Sequence, residues 1–182
     1  STLGYGLFKL SPQTGRFRTV FEGASIYSPP FVDTSGLVVY FPLGKKGPET
    51  DPPGRPHPLK NLTVTGYNHR YLRDRAGRQW LWHSMGNKHR LLRLGASGNI
   101  EKQYFERQTL QMGACIGIGA DGVVQVAHNG KIIRVNPADD HTEVFDYSGI
   151  LPYGHEVRAM AQTANGCWWF ATDFGLLEAV PE

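Results

Sequence analysis

Apolar residues alternate with polar ones over short stretches all along the chain, and each stretch is entered through a turn that carries glycine. Gln79-Trp80-Leu81-Trp82 follows Asp74-Arg75-Ala76-Gly77, and Val123-Val124-Gln125-Val126 follows Ala120-Asp121-Gly122. In the same way Leu37 to Phe41 follows Thr34-Ser35-Gly36, and Cys167 to Ala171 follows Ala164-Asn165-Gly166. Short runs of this kind bounded by turn residues predict strands, and no segment sustains the 3.6-residue period of a helix. The glycines Gly36, Gly77, Gly122 and Gly166 stand 41, 45 and 44 residues apart. A repeat of that length holding several short strands predicts an all-β fold, a β-propeller of four-stranded antiparallel blades with about four repeats of roughly 42 residues.

Taken in order, Leu7 to Leu10 and the alternating Arg16 to Phe21 flank the turn Ser11-Pro12-Gln13-Thr14-Gly15. Phe31-Val32 and Leu37 to Phe41 form an inner pair. The third blade is predicted from Tyr71-Leu72-Arg73, Gln79 to Trp82, Leu91 to Leu94 and Ile100 to Phe105. The fourth comprises Cys115 to Gly119, Val123 to Ala127, Lys131 to Val135 and Thr142 to Phe145, and Val157 to Gln162, Cys167 to Ala171 and Gly175 to Ala179 open a last one. Residues 44–58 break the pattern, because their prolines remove backbone donors and their glycines cost backbone entropy. They are expected to form a surface insertion in a single propeller domain spanning residues 1–182, with a domain boundary as the competing reading.

Gly4-Tyr5-Gly6-Leu7-Phe8 repeats the chain's own end, Phe174-Gly175-Leu176-Leu177, so the sequence starts and stops near the same phase of its repeat. Either four blades close on themselves, or the segment belongs to a larger wheel whose open edges take a second chain or a homodimer. One blade cannot bury both of its faces alone. The tryptophans Trp80, Trp82, Trp168 and Trp169 fall in second strands, and the expectation is that each pair sends one ring to either face of its blade. Stacking on sugar rings is the functional alternative for these indoles.

Composition narrows the field. Nineteen basic against 16 acidic side chains give a net charge of +3 with no block of like charge, which offers no electrostatic footprint for nucleic acid or a membrane surface. Apolar runs are too short to span a bilayer as helices. Two cysteines, Cys115 and Cys167, are too few for a disulfide scaffold.

Strand direction sorts the loops. Within a blade, the connection between strands two and three lies at the same end as the connections between blades. That end gathers the candidate ligand-binding residues Tyr67, His69, Arg70, His83, Asn87, His89, His128, Asn129, Tyr153, His155 and Asp173, which include five of the seven histidines. Rigid scaffolds commonly carry binding groups on the loops of one face. The opposite end gathers the short turns Ser35-Gly36, Ala76-Gly77 and Asp121-Gly122.

The pattern Asp74-x-x-Gly77-x-x-Trp80, then Thr172-x-x-Gly175-Leu176-Leu177, then a Thr14-Gly15 turn before the strand ending in Phe21, resembles the regulator-type β-propeller repeats of bacterial two-component (hybrid) sensor ligand-binding domains. The resemblance implies a non-catalytic sensor module, a periplasmic or extracellular location and a small-molecule or oligosaccharide ligand. No cofactor or metal is expected. Gln125-Val126 departs from the repeat, which usually has an aromatic there.

The usual sequence signatures of serine hydrolases, nucleotide-binding enzymes and metalloproteases are absent. Metal binding by His69, His83, His89, His128 and His155 is conceivable, but loop spacing does not make the five converge. An enzyme of lyase or hydrolase type, with His128 or His155 beside Glu156 as acid and base, is the alternative function. A protein-interaction scaffold using residues 44–58 and the blade edges is the other.

Overall fold

The computed structural model describes residues 7–11, 16–21, 30–32, 37–42, 48–51, 53–55, 57, 59, 69–85, 87–108, 114–119, 121–146, 157–163, 165–173 and 175–179. One turn geometry recurs through them. Asp74 N donates to Arg78 O and Gly77 N to Asp74 O, and the same two bonds close the turns that begin at Gly95, Gly119 and Thr163. The fourth residue of each turn is a glycine with positive φ: Gly77 at 84°, Gly98 at 80°, Gly122 at 80° and Gly166 at 89°. Side-chain-bearing residues rarely adopt that backbone conformation, so the glycine spacing in the sequence is the spacing of these turns. A one-residue-longer variant runs from Asn136 to His141, with Asp140 taking the left-handed position at φ 62°.

Among the described residues there are sixteen strands in five antiparallel sheets. The first sheet pairs β1 (Leu7–Ser11) with β2 (Arg16–Phe21), and the second is β3 (Phe31–Val32), β4 (Val38–Tyr40) and β5 (Glu49–Asp51). The third consists of β6 (Arg70–Arg73), β7 (Gln79–Met85), β8 (Lys88–Leu94) and β9 (Ile100–Gln108). The fourth consists of β10 (Ala114–Ile118), β11 (Val124–His128), β12 (Lys131–Val135) and β13 (Thr142–Asp146). The fifth is β14 (Val157–Gln162), β15 (Trp168–Thr172) and β16 (Gly175–Ala179). Every sheet follows chain order, so each is a meander, and the described residues contain no α-helix.

Among the described residues, three apolar layers join the second, third, fourth and fifth sheets in turn. Phe41, Leu59, Leu81, Leu92 and Leu94 lie between the second and third. Trp80, Trp82, Leu91, Ala114, Val124, Val126, Ile133 and Val135 lie between the third and fourth. Cys115, Ala127, Val157 and Phe170 lie between the fourth and fifth. Period-two alternation makes this possible, since β7 sends Leu81 to one neighbour and Trp80 and Trp82 to the other. Innermost strands approach closely: a Cβ built on Gly117 of β10 would stand 3.2 Å from Met160 of β14.

One expectation is corrected. Trp80 and Trp82 do not split between faces. They are two positions apart in one strand, so both indoles enter the layer against the fourth sheet, where each is fully buried. Trp168 packs beside Phe170 on the face towards the fourth sheet, and its sequence neighbour Trp169 alternates away. Within residues 44–58, the described residues include a short strand and three buried polar side chains. Glu49–Asp51 pairs with β4, Thr50, Asp51 and His57 are buried, and His57 Nδ1 accepts from Leu59 N at 3.2 Å. Pro48 precedes this strand without interrupting it, a position that costs the ladder no donor. Only residues 53–55 of the described part are exposed.

At the glycine-turn end an electrostatic clamp ties the third sheet to the fourth. Asp140 accepts from Arg93 Nη1 at 2.7 Å, Lys102 Nζ at 2.8 Å and Tyr104 Oη at 2.5 Å. Bonds from Lys102 and Tyr104, aided by the Arg93 charge, hold its carboxyl down at about 2. Nearby, buried Asp74 accepts from Arg78 and from Trp80 Nε1, while Arg78 Nη1 reaches Pro137 O across the sheets.

Candidate functional site

The opposite end of the same two sheets is built around histidines. β7 and β8 stay paired as far as Met85 and Lys88, which places His83 opposite Arg90 and Ser84 opposite His89. In the fourth sheet, Asn129 at φ 49° and Gly130 at φ 71° make a turn with both central residues left-handed, the arrangement that suits a tight hairpin. It brings His128 to the last position of β11, opposite Lys131.

These strands carry four imidazoles into two layers. His83 faces the second sheet, where its ring stacks on His69 at 5.1 Å and 17°, and His69 in turn lies 5.3 Å from Phe41. His89 and His128 face each other across the third and fourth sheets at 4.9 Å, and Trp82 lies 4.9 Å from His128 and 6.1 Å from His89. Ser84 Oγ and His89 Nδ1 are 2.9 Å apart, and Ser84 N donates to His69 Nδ1 at 3.5 Å. Through Ser84, one strand couples the two histidine layers.

Their burial changes the picture drawn from sequence. His69, His83, His89 and His128 are each no more than 2% exposed, so they form a floor and not an open rim. The reason is the length of the hairpins: His83, His89 and His128 occupy strand ends, not loops. Arg90 Nε donates to His83 Nδ1 at 3.1 Å, which requires that nitrogen to be bare. Burial, with the Arg90 charge adding to it, pulls the His83 pKa down to about 4. His83 is therefore a neutral ring near pH 7, and its Nε2 has no hydrogen-bond partner among the described residues.

The other candidates at this end that the structure describes are more accessible. Arg70, at the start of β6, is half-buried, Asn129 is half-buried and Asn87 is exposed. Asp173 is exposed in the β15–β16 turn, where it is engaged by Arg158 through bonds of 2.8 and 3.2 Å. Tyr67, Tyr153 and His155, like Glu156, lie outside the described residues. The fold thus brings His69 to His83, and His89 to His128, while Asp173 belongs to the fifth sheet.

Ser84, Arg90, Phe41 and Trp82 were not among the sequence candidates for this end. A register drawn from the Gly86-Asn87 turn would have paired Ser84 with His89 and Arg90 with His83. No group of three or more histidine, cysteine or acidic side chains is arranged to hold a metal among the described residues. Cys115 and Cys167 are buried and free, and burial pushes the Cys115 thiol up to about 12. No helix of the described residues is long and apolar enough to cross a membrane.

No family model matches the sequence, and no curated protein matches it. Solved structures do match the fold. The extracellular domain of the hybrid two-component system BT4673 of B. thetaiotaomicron superposes with a TM-score of 0.62 at 14% identity, over 94% of this chain and 25% of that one. The corresponding domain of the hybrid two-component system BT3049 from the same organism gives 0.57 at 18% identity, over 86% and 22%. A virginiamycin B lyase from Staphylococcus aureus, crystallised as an inactive variant with quinupristin, gives 0.62 at 16%, over 96% and 62%. The chain therefore spans about a quarter of the sensor domains it resembles, and its propeller-like, all-β architecture is similar to that of two-component sensor extracellular domains.

Proposed function

We propose that this chain is a sensor-type propeller module that binds a small carbohydrate at the histidine-bearing end of its third and fourth sheets, on the outer side of a bacterial cell, and does not catalyse a reaction. The observation that carries the reading is the meeting of His89, His128 and Trp82 from two sheets, at the strand ends next to Asn87 and Asn129 and with Arg70 opposite Trp82 in the ladder. Rings packed to full burial make a floor that holds its shape, and preorganisation lowers the entropic cost of binding. Amide side chains next to it offer donors and acceptors together, which suits hydroxyl groups. The likeness in fold to extracellular sensor domains supports the location and the sensing role.

Thermal unfolding in the presence of a panel of mono- and oligosaccharides tests this. At least one saccharide is expected to raise the midpoint of the wild-type chain and of Arg75→Ala, whose change lies at the glycine-turn end. The rise should vanish in Asn87→Ala and Tyr67→Ala. A shift retained in both of those variants, or no shift with any saccharide, contradicts the reading. Turnover of a saccharide that disappears in His128→Ala would replace binding by catalysis.

A further inference from the structure

The arginines in the described residues are treated unequally. Arg78, Arg93, Arg134 and Arg158 each meet a carboxylate at 3.2 Å or less. Arg70 meets none among the described residues. Its guanidinium, which always carries its charge, donates from Nη1 to the carbonyl of His69 at 3.2 Å and makes no other hydrogen bond or ion pair with the described residues, although the side chain is half-buried. Burial pulls the Arg70 pKa below its ordinary value, with Cys115 acting in the opposite sense. A partly desolvated, uncompensated charge is costly, and such a group is stabilised by an anion that reaches it.

A second observation lies directly across the ladder. Arg70 is the register partner of Trp82, so the two side chains leave the sheet on the same face, the one turned to the fourth sheet. Trp82 is fully buried, and its Nε1, a donor with no acceptor function, has no hydrogen-bond partner among the described residues. Trp80, two positions along, has its own Nε1 satisfied by Asp74 at 3.1 Å. One indole of the pair is thus provided with a carboxylate by the protein, and the other, beside an unpaired guanidinium, is not.

We propose that Arg70 and Trp82 form a site for the carboxylate of a small ligand, the guanidinium engaging it through paired N–H donors and the indole Nε1 supplying another. Arginine and carboxylate match in planar, two-bond geometry, and charge-assisted bonds of this kind are about twice as strong as neutral ones. A sugar acid and a simple organic acid both offer the group. This deepens the carbohydrate reading above and rests on it only for the choice of a sugar acid as one probe.

Indole ¹H–¹⁵N spectra during titration with sodium glucuronate, sodium acetate and glucose test the site, with the Trp82 signal identified by its loss in Trp82→Phe. Glucuronate is expected to move the Trp82 Nε1–H signal downfield and saturably, glucose is expected to leave it in place, and Arg70→Gln should weaken the response by about tenfold or more. A response to acetate as well assigns the site to carboxylates at large, and a response to glucuronate alone assigns it to sugar acids. A signal that neither carboxylate moves, or that glucose moves as far, overturns the proposal. If Arg70→Gln does not fold, Arg70→Lys takes its place: it keeps the charge without the fork, and an undiminished response in it also overturns the proposal. Binding of neutral saccharides with a motionless Trp82 signal removes this site and leaves the sensor reading standing.

Discussion

Acid should destabilise this fold through His83. The ring is buried between the second and third sheets, stacked on His69, with its Nδ1 accepting from Arg90, and its pKa is drawn from the ordinary 6.5 down to about 4. Unfolding releases it to water, where it gains a proton at the higher pH. The unfolded chain therefore binds more protons between those two values, and stability that is fully present above about 6.5 is lost as pH falls towards 4. With 1.36 kcal/mol for each unit of difference, the loss is about 2 kcal/mol by pH 5 and about 3 kcal/mol by pH 4. For a chain of this size, 2 kcal/mol corresponds to a fall in Tm of about 4–8 °C. Urea unfolding of the wild type and of His83→Gln at pH 7.5 and 5.0 isolates the effect, because the other histidines are common to both. The amide oxygen can still accept from Arg90, so the variant should fold. It should be less stable than wild type at pH 7.5, and the gap should narrow by about 2 kcal/mol at pH 5.0. A gap equal at the two pH values would refute the claim that this ring is held neutral by burial.

Other consequences follow from the clamp and the core. Asp140→Asn keeps a residue that tolerates the left-handed turn while removing the charge that Arg93 and Lys102 address. The pKa depression alone corresponds to about 2 kcal/mol, which solvent screening around the half-exposed Lys102 reduces to about 1 kcal/mol. That loss should be seen by urea unfolding at pH 7 and should fade as pH drops from about 4 towards 2, since the wild-type stabilisation is itself lost as the carboxylate titrates; an equal loss at pH 7 and pH 2 contradicts the clamp. Trp82→Ala removes a fully buried indole from the layer between the third and fourth sheets and should cost about 3–5 kcal/mol in the same assay, whereas a cost below 1 kcal/mol would mean that this layer does not hold the sheets together.

The sequence carried the fold through its turns. Gly77, Gly122 and Gly166 are spaced as they are because each fills the left-handed position of the same hydrogen-bonded turn. Local backbone chemistry of that kind leaves a direct mark on residue type. The third and fourth sheets follow the alternation closely for the same reason. Glu49–Asp51 was illegible because flanking prolines mask a three-residue strand whose pairing partner, β4, supplies the other half of the information.

The site was legible only as an end of the molecule. Alternation and strand direction place His69, His83, His89 and His128 together, but depth depends on how far each hairpin continues. Asn129-Gly130 marks a two-residue turn by its composition, and reading it so would have put His128 inside a strand. The Asp140 clamp had no such mark, since its partners Arg93, Lys102 and Tyr104 come from strands 36 to 47 residues away.

Whether the histidine end is the binding end proposed above can be read directly from backbone amide shifts on addition of a saccharide that stabilises the chain. Perturbations concentrated at Arg70, Asn87 and Asn129 are predicted, with the glycine turns at Gly77, Gly98 and Gly122 unmoved. Perturbations gathered at those turns, with the histidine end silent, would contradict the account.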